Sequence, residues 1–240
     1  MKKIDALFIS GVILLFIPFF VVSQVYDFYI NFNHDYALIT AFIKFAVLST
    51  LGEIIGLRIK TGSYYKKGFG VIPRMIVWGF LGITIKVAMV FFATYTPELL
   101  QSMGVENAVA SMFNTFTVKK LFVAFCISLL MNILYAPIMM TFHRMTDMHI
   151  LKTGGTVKGL FTPFNFRKLF VDLDWNIQWN FVLKKTIPLF WIPAHTITFL
   201  LPVDFQVLFA ALLGIALGTI LAIADVMGDS NIKLKKNRVQ

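Results

Sequence analysis

The sequence predicts an all-α protein, a polytopic transmembrane helical bundle of about six spans with an amphipathic segment in the membrane interface. Three observations lead there. Of 240 residues, 58% are hydrophobic and 14% charged, against roughly 45–50% and about 25% in soluble domains. The excess is gathered into runs close to the ~20 residues a helix needs to cross a bilayer. The basic residues, behind a net charge of +10, fall mostly between alternate runs, as positive-inside sorting requires.

The first run, Ala6–Val25, follows Met1-Lys2-Lys3 and contains Pro18. It is longer than a signal-peptide core of about 7–15 residues, so it reads as a retained signal anchor. Asp27, His34 and Asp35 mark an acidic turn before the second span, Tyr36–Leu57. A basic loop with Arg58, Lys60, Lys66 and Lys67 leads to the third, Ile72–Thr96. Residues 97–118 form a loop with Glu98 and Glu106, followed by the fourth span, Leu121–Phe142.

Beyond it, 143–180 mixes Arg144, Lys152, Lys158, Arg167 and Lys168 with Phe161, Phe164, Phe166, Phe170, Trp175 and Trp179. Aromatic and basic residues together favour the interface, and 160–180 is taken as the interfacial segment. The fifth span, Lys185–Leu201, is punctuated by Pro188 and Pro193; a turn at Pro202 leads to the sixth, Phe205–Val226, and a polar tail over 231–240. The connections are too short for a soluble domain, so 1–240 reads as one membrane domain. Charge bias and an even number of spans both put the two termini on the cytoplasmic side. A bacterial cytoplasmic membrane fits, as does an organellar inner membrane.

Polar groups inside spans are costly, roughly 2.5–3.5 kcal/mol for a charge at the centre, and mark sites or pairings. On a helix, Trp191, His195 and Thr198 share one stripe, and His195 falls near the midplane. It either satisfies a carbonyl freed by a proline or lines a pore. Lys44 and Lys86 reach similar depths and either line an anion-attracting pathway or snorkel. Glu53 and Arg74 sit at matched depth near the inner face and read as an ion pair. Asn132 and Ser128 read as interhelical hydrogen-bond partners, with Asn132 also a pathway candidate. Gly52, Gly56, Gly79, Gly82, Gly214 and Gly218 read as helix-packing positions.

Enzyme chemistry finds little support. No G-x-S-x-G, H-E-x-x-H or P-loop is present; His143, Asp147 and His149, the first two one helical turn apart, offer a metal trio, but without a zincin pattern and in a stretch that reads as a basic loop. No metal, cofactor or nucleic-acid partner is expected; Cys126 is the only cysteine, so no intrachain disulfide forms.

On these residues the chain resembles the Mpv-type family of small peroxisomal and mitochondrial inner-membrane proteins, over roughly Ala37–Val226. Trp191, Pro193-Ala194, Phe199 and Pro202 match its tryptophan–proline–glutamine–asparagine–phenylalanine–proline run, with one residue fewer before Pro202. Leu51-Gly52-Glu53 looks like its glycine–aspartate element, and Tyr135-Ala136-Pro137, after Asn132, like its proline-containing third helix. His195 stands for the family's glutamine, Thr198 for its asparagine, Gln206 for its arginine and Glu53 for its aspartate; the first span is additional. The resemblance implies a distant, channel-like member of a family linked to small-solute permeability and organelle homeostasis. The expected function is a small-solute or ion pathway. His195, Thr198, Trp191, Asn132, Lys86 and Lys44 would line it, and Glu53–Arg74 would close its inner end. The other reading is a non-transporting scaffold or assembly factor that docks a partner through 143–180. Beyond the lipid bilayer, a second copy of the chain stays open as a partner.

Overall fold

The computed structural model describes residues 3–237, with side-chain surroundings as far as 223 apart from those at 15 and 221. Lys2 and Arg238, which entered the charge count, lie outside the described residues. Every described element is helical. The chain divides into two compact units, Met1–Thr40 and Ala41–Gln240.

In the first unit, α1 (Lys3–Phe16) stops where Pro18 removes a backbone donor. The chain restarts as α2 (Pro18–Val21) with proline in its first turn, and the extended Val22 separates it from α3 (Ser23–Asp35). The stretch expected as an acidic turn is therefore mostly helix. Its aromatic side chains explain this, since Phe28 stacks on Phe32 at 5.6 Å and Phe32 on Tyr36 at 5.0 Å, one turn apart each time.

The second unit takes up α4 (Ala37–Thr61) from Ala41 onward, then α5 (Val71–Ser102), α6 (Ala108–Ser111), α7 (Val118–Leu134) and α8 (Ala136–Lys152). The short helices α9 (Val157–Leu160), α10 (Phe166–Val171) and α11 (Trp175–Ile177) follow. A π-helical segment, Gln178–Trp191, then runs into α12 (Ile192–Leu200) and the long α13 (Val203–Asn237).

Lys3–Val21, Ala37–Thr61, Val71–Ser102 and Val203–Ile220 are long and apolar enough to cross a membrane, and α7 with α8 makes a fifth candidate bent by 45°. The bend falls at Tyr135–Pro137, because proline cannot donate to the preceding turn and crowds the carbonyl four residues back. His143–Lys152, read as the start of a loop, belongs to α8 for that reason: the helix resumes after the proline.

The expected fifth span, 185–201, differs from a plain α-helix. Pro188 and Pro193 each lack an N–H, and the winding up to Trp191 is wide, with Ile192 N–H reaching back five residues to Ile187 O. Only Ile192–Leu200 returns to α-helical winding. At the C-terminus, the stretch assigned to a polar tail continues α13 as far as Asn237.

The bundle is organised around α7, which packs on α5 and α12. Val123, Ala124, Ile127, Ser128 and Asn132 have no exposed surface. Glycines set the spacing of α4 to its neighbours. A Cβ on Gly82 would lie 2.7 Å from Ala41 O, and one on Gly52 only 2.8 Å from Ile215 Cα, so α4 meets α5 and α13 nearly backbone to backbone.

Candidate functional site

A cavity of about 310 Å³ lies inside the second unit, between α4, α5, α7, α8, the π-helical segment, α12 and α13. Much of its wall is apolar. Its polar groups gather in two places.

The first is an ion network. Arg74 sits on the first turn of α5 and is 5% exposed. Its Nη1 donates to Glu53 Oε2 on α4 and to Asp147 Oδ1 on α8, both at 2.5 Å. Its Nε donates to Phe69 O at 2.8 Å, and its guanidinium lies over the Phe69 ring. Glu53 Oε1 accepts from Trp78 Nε1 at 2.8 Å and has His143 Nε2 at 3.4 Å. In the neutral ring of His143, the facing carboxylate places the proton on Nε2. Three helices thus hold two carboxylates on one guanidinium, the charge-assisted geometry that makes burial of such groups tolerable.

Glu53, His143 and Asp147 offer ligand atoms that all lie within 4.8 Å of one another, a donor set of the kind that suits a divalent ion. Arg74 already supplies the positive charge between the carboxylates, so the arrangement reads as an ion-paired hinge of three helices. His149 takes no part: its Nε2 is 3.1 Å from Gly159 O, which ties α8 to α9.

The second place lies deeper. His195 on α12 meets Asn132 on α7, with Nδ1 at 3.0 Å from Asn132 Nδ2. Asn132 Nδ2 also donates to Ser128 O at 2.9 Å, and Ser128 Oγ donates to Ile192 O at 2.7 Å. Trp191 stacks on His195 with ring centres 5.1 Å apart. The sequence offered a proline-freed carbonyl as the partner for His195; the amide of a neighbouring helix takes that place.

Of the residues singled out from sequence, His195, Trp191, Asn132, Glu53, Gly214 and Gly218 line the cavity, and Arg74 holds its floor through Glu53. Thr198, Lys44 and Lys86 are not among the lining residues. Thr198 is fully buried and donates to Ala194 O of its own helix at 3.0 Å. Lys44 and Lys86 each interact electrostatically with Asp204 at the start of α13.

Glycine packing runs as a stripe. Gly214 lies against Ser49, Gly218 against Gly52 O, and Gly56 against Gly218 O, while Gly79 accommodates the ring of Phe42. Sequence reasoning missed His143, Arg144, Asp147 and Gln178 as lining residues. The i, i+4 spacing of His143 and Asp147 is visible in the sequence, which pairs them with His149; in the structure Glu53 takes the third place. Searches for similar proteins found no matching family model, curated protein or solved structure.

Proposed function

We propose that the chain is a channel-like integral membrane protein that crosses the bilayer six times and carries a small solute or ion through its second unit. The supporting observation is the cavity, which joins the His195–Asn132–Trp191 group to the Glu53–Asp147 network through an apolar wall. Ionisable groups at membrane depth mark pathways or relays. In this reading the bent α7–α8 pair is one span, and the π-helical segment with α12 is another. Both termini and the basic loops face the cytoplasm. Lys44, Lys86 and Asp204 form the outer mouth, and Glu53–Arg74–Asp147 the inner constriction. Of the residues behind the Mpv-type resemblance, Glu53, Asn132, Tyr135, Ala136, Trp191 and His195 line the same cavity, while Gly52, Pro137, Pro193, Thr198, Phe199 and Pro202 do not.

Reconstitution in liposomes tests the proposal. Flux of small neutral solutes and ions above that of protein-free liposomes is expected, with a several-fold loss in His195→Ala. Absence of flux from wild type, or full flux in a folded His195→Ala, overturns it.

One observation favours the scaffold reading as well. Phe161, just past α9, is 73% exposed and Trp179, at the start of the π-helical segment, 59% exposed, on either side of Arg167 and Lys168. We read 160–180 as an interfacial segment. Specific crosslinks from it to one protein in native membranes would support docking, and crosslinks to lipid alone would remove that reading.

A further inference from the structure

The cavity holds polar atoms with nothing to bond. Ser49 Oγ, His143 Nδ1 and Trp191 Nε1 are buried without a hydrogen-bond partner, and all three residues line it. Ser49 is 3% exposed. An unpaired buried polar group is destabilising, so three facing one space call for a polar occupant. Ordered water satisfies polar atoms of this kind, whereas the wall of Phe45, Ile85, Met131, Met139, Val182 and Leu217 between them suits an apolar body.

The charge of the occupant is set at the mouth. Arg144 is exposed and also lines the cavity, so the cavity meets the surface there. No hydrogen bond or ion pair engages its guanidinium among the described residues. Asp147, three residues on, accepts from Arg74 at Oδ1, while its Oδ2 has His143 Nε2 at 3.8 Å, outside hydrogen-bond range, and the Arg144 charge nearby. His143 Nδ1, bare when Nε2 carries the proton, is an acceptor beside it.

An unengaged guanidinium next to a half-free carboxylate complements a solute that carries a carboxylate and an ammonium together. A simple cation is less suited, since Arg74 and Arg144 already balance Glu53 and Asp147. A simple anion would meet Asp147 unpaired.

Ser49 sets the length. It stands four residues before Glu53 on α4, about 6 Å of helix rise, and the Glu53 carboxylate lies against the His143–Asp147 end, with its Oε1 3.4 Å from His143 Nε2, so Ser49 stands about one para-hydroxybenzyl side chain from that end. The volume of about 310 Å³ is at the low end of the ~300–1,000 Å³ typical of ligand pockets.

We infer that the cavity binds a zwitterionic α-amino acid of the tyrosine type. Its carboxylate pairs with Arg144, its ammonium with Asp147 Oδ2 and His143 Nδ1, its ring lies along the apolar wall, and its terminal hydroxyl meets Ser49 Oγ. Trp191 N–H, farther along, is left to an ordered water shared with the His195–Asn132 pair. The inference rests on the small-solute pathway reading and names its substrate class.

Binding of radiolabelled tyrosine to the full chain in nanodiscs tests it, with phenylalanine, tyramine and 3-(4-hydroxyphenyl)propanoate as competitors. Saturable tyrosine binding is expected, with each competitor at least tenfold weaker. Arg144→Gln, at an exposed position without a hydrogen bond or ion pair, is expected to keep its melting temperature. It should weaken tyrosine tenfold or more while leaving tyramine unchanged. Ser49→Ala should remove the preference for tyrosine over phenylalanine. No saturable tyrosine binding, tyramine competing as well as tyrosine, or an unaffected Arg144→Gln overturns the inference. Tyrosine binding without flux in liposomes would overturn the pathway and leave the site. Flux of other solutes with no tyrosine binding would do the reverse.

Discussion

Arg74 shows how one buried side chain fixes three helices. It bridges Glu53 and Asp147 and is itself 5% exposed, so its removal leaves two carboxylates facing each other out of water. Arg74→Met is expected to cost roughly 3–5 kcal/mol, the usual loss when one partner of a buried ion pair is deleted. Adding Glu53→Gln and Asp147→Asn to that variant should recover most of the loss. Detergent melting curves of the two variants decide this, and equal melting temperatures would mean that the network carries no such burden. Asn132 makes a smaller case. Asn132→Ala strands His195 Nδ1 and should cost about 1–3 kcal/mol, read in the same assay.

At the scale of elements, the glycine contacts predict a contrast within α4. A methyl on Gly52 would run into Ile215 Cα at 2.8 Å, whereas one on Gly56 finds ordinary contact at 3.7 Å. Gly52→Ala should therefore destabilise by about 1–3 kcal/mol, and Gly56→Ala should stay within about 0.5 kcal/mol of wild type. The short helices answer to charge. Lys152 Nζ donates to Asp172 Oδ2 at 2.6 Å, just past α10, and this hydrogen bond holds the exposed Asp172 carboxyl below its ordinary value. A depressed folded-state value means that the contribution is complete above the unfolded carboxyl range and is lost as pH falls through the folded one. Amide exchange across α10, taken relative to the intrinsic rate at each pH, should thus quicken below that point and respond little to pH near neutrality. The same quickening in Asp172→Asn would show that another group is responsible.

For the whole molecule, the proposed crossing pattern puts the two ends of α5 on opposite sides of the membrane. In a Cys126→Ala background, Lys66→Cys and Asn114→Cys should be labelled by an impermeant reagent from opposite faces of sealed vesicles. Labelling from the same face would remove α5 from the count of spans.

Much of the bundle is readable from the chain. Runs near the thickness of a bilayer, the bias of Lys and Arg, and small residues at helical spacing belong to local sequence. They specify helices, their capacity to cross a bilayer and the faces that approach closely. The matched depth of Glu53 and Arg74 is likewise arithmetic on helix rise. The site was less legible. Asp147 and His143 lie 73 and 69 residues from Arg74 in the numbering, and nothing local says that the helix runs on past Phe142 to carry them back to it.

The sequence by itself determined the class of the protein, the proline breaks and the packing stripes, because each follows from neighbours one or two turns away. Only the tertiary structure decided which polar groups meet. It joined His195 to Asn132, left Thr198, Lys44 and Lys86 outside the cavity wall, and brought Asp147 to Arg74. Those pairings depend on how helices cross and rotate against one another. That geometry is set by the packing of the whole bundle, not by the spacing of residues along any one strand of sequence.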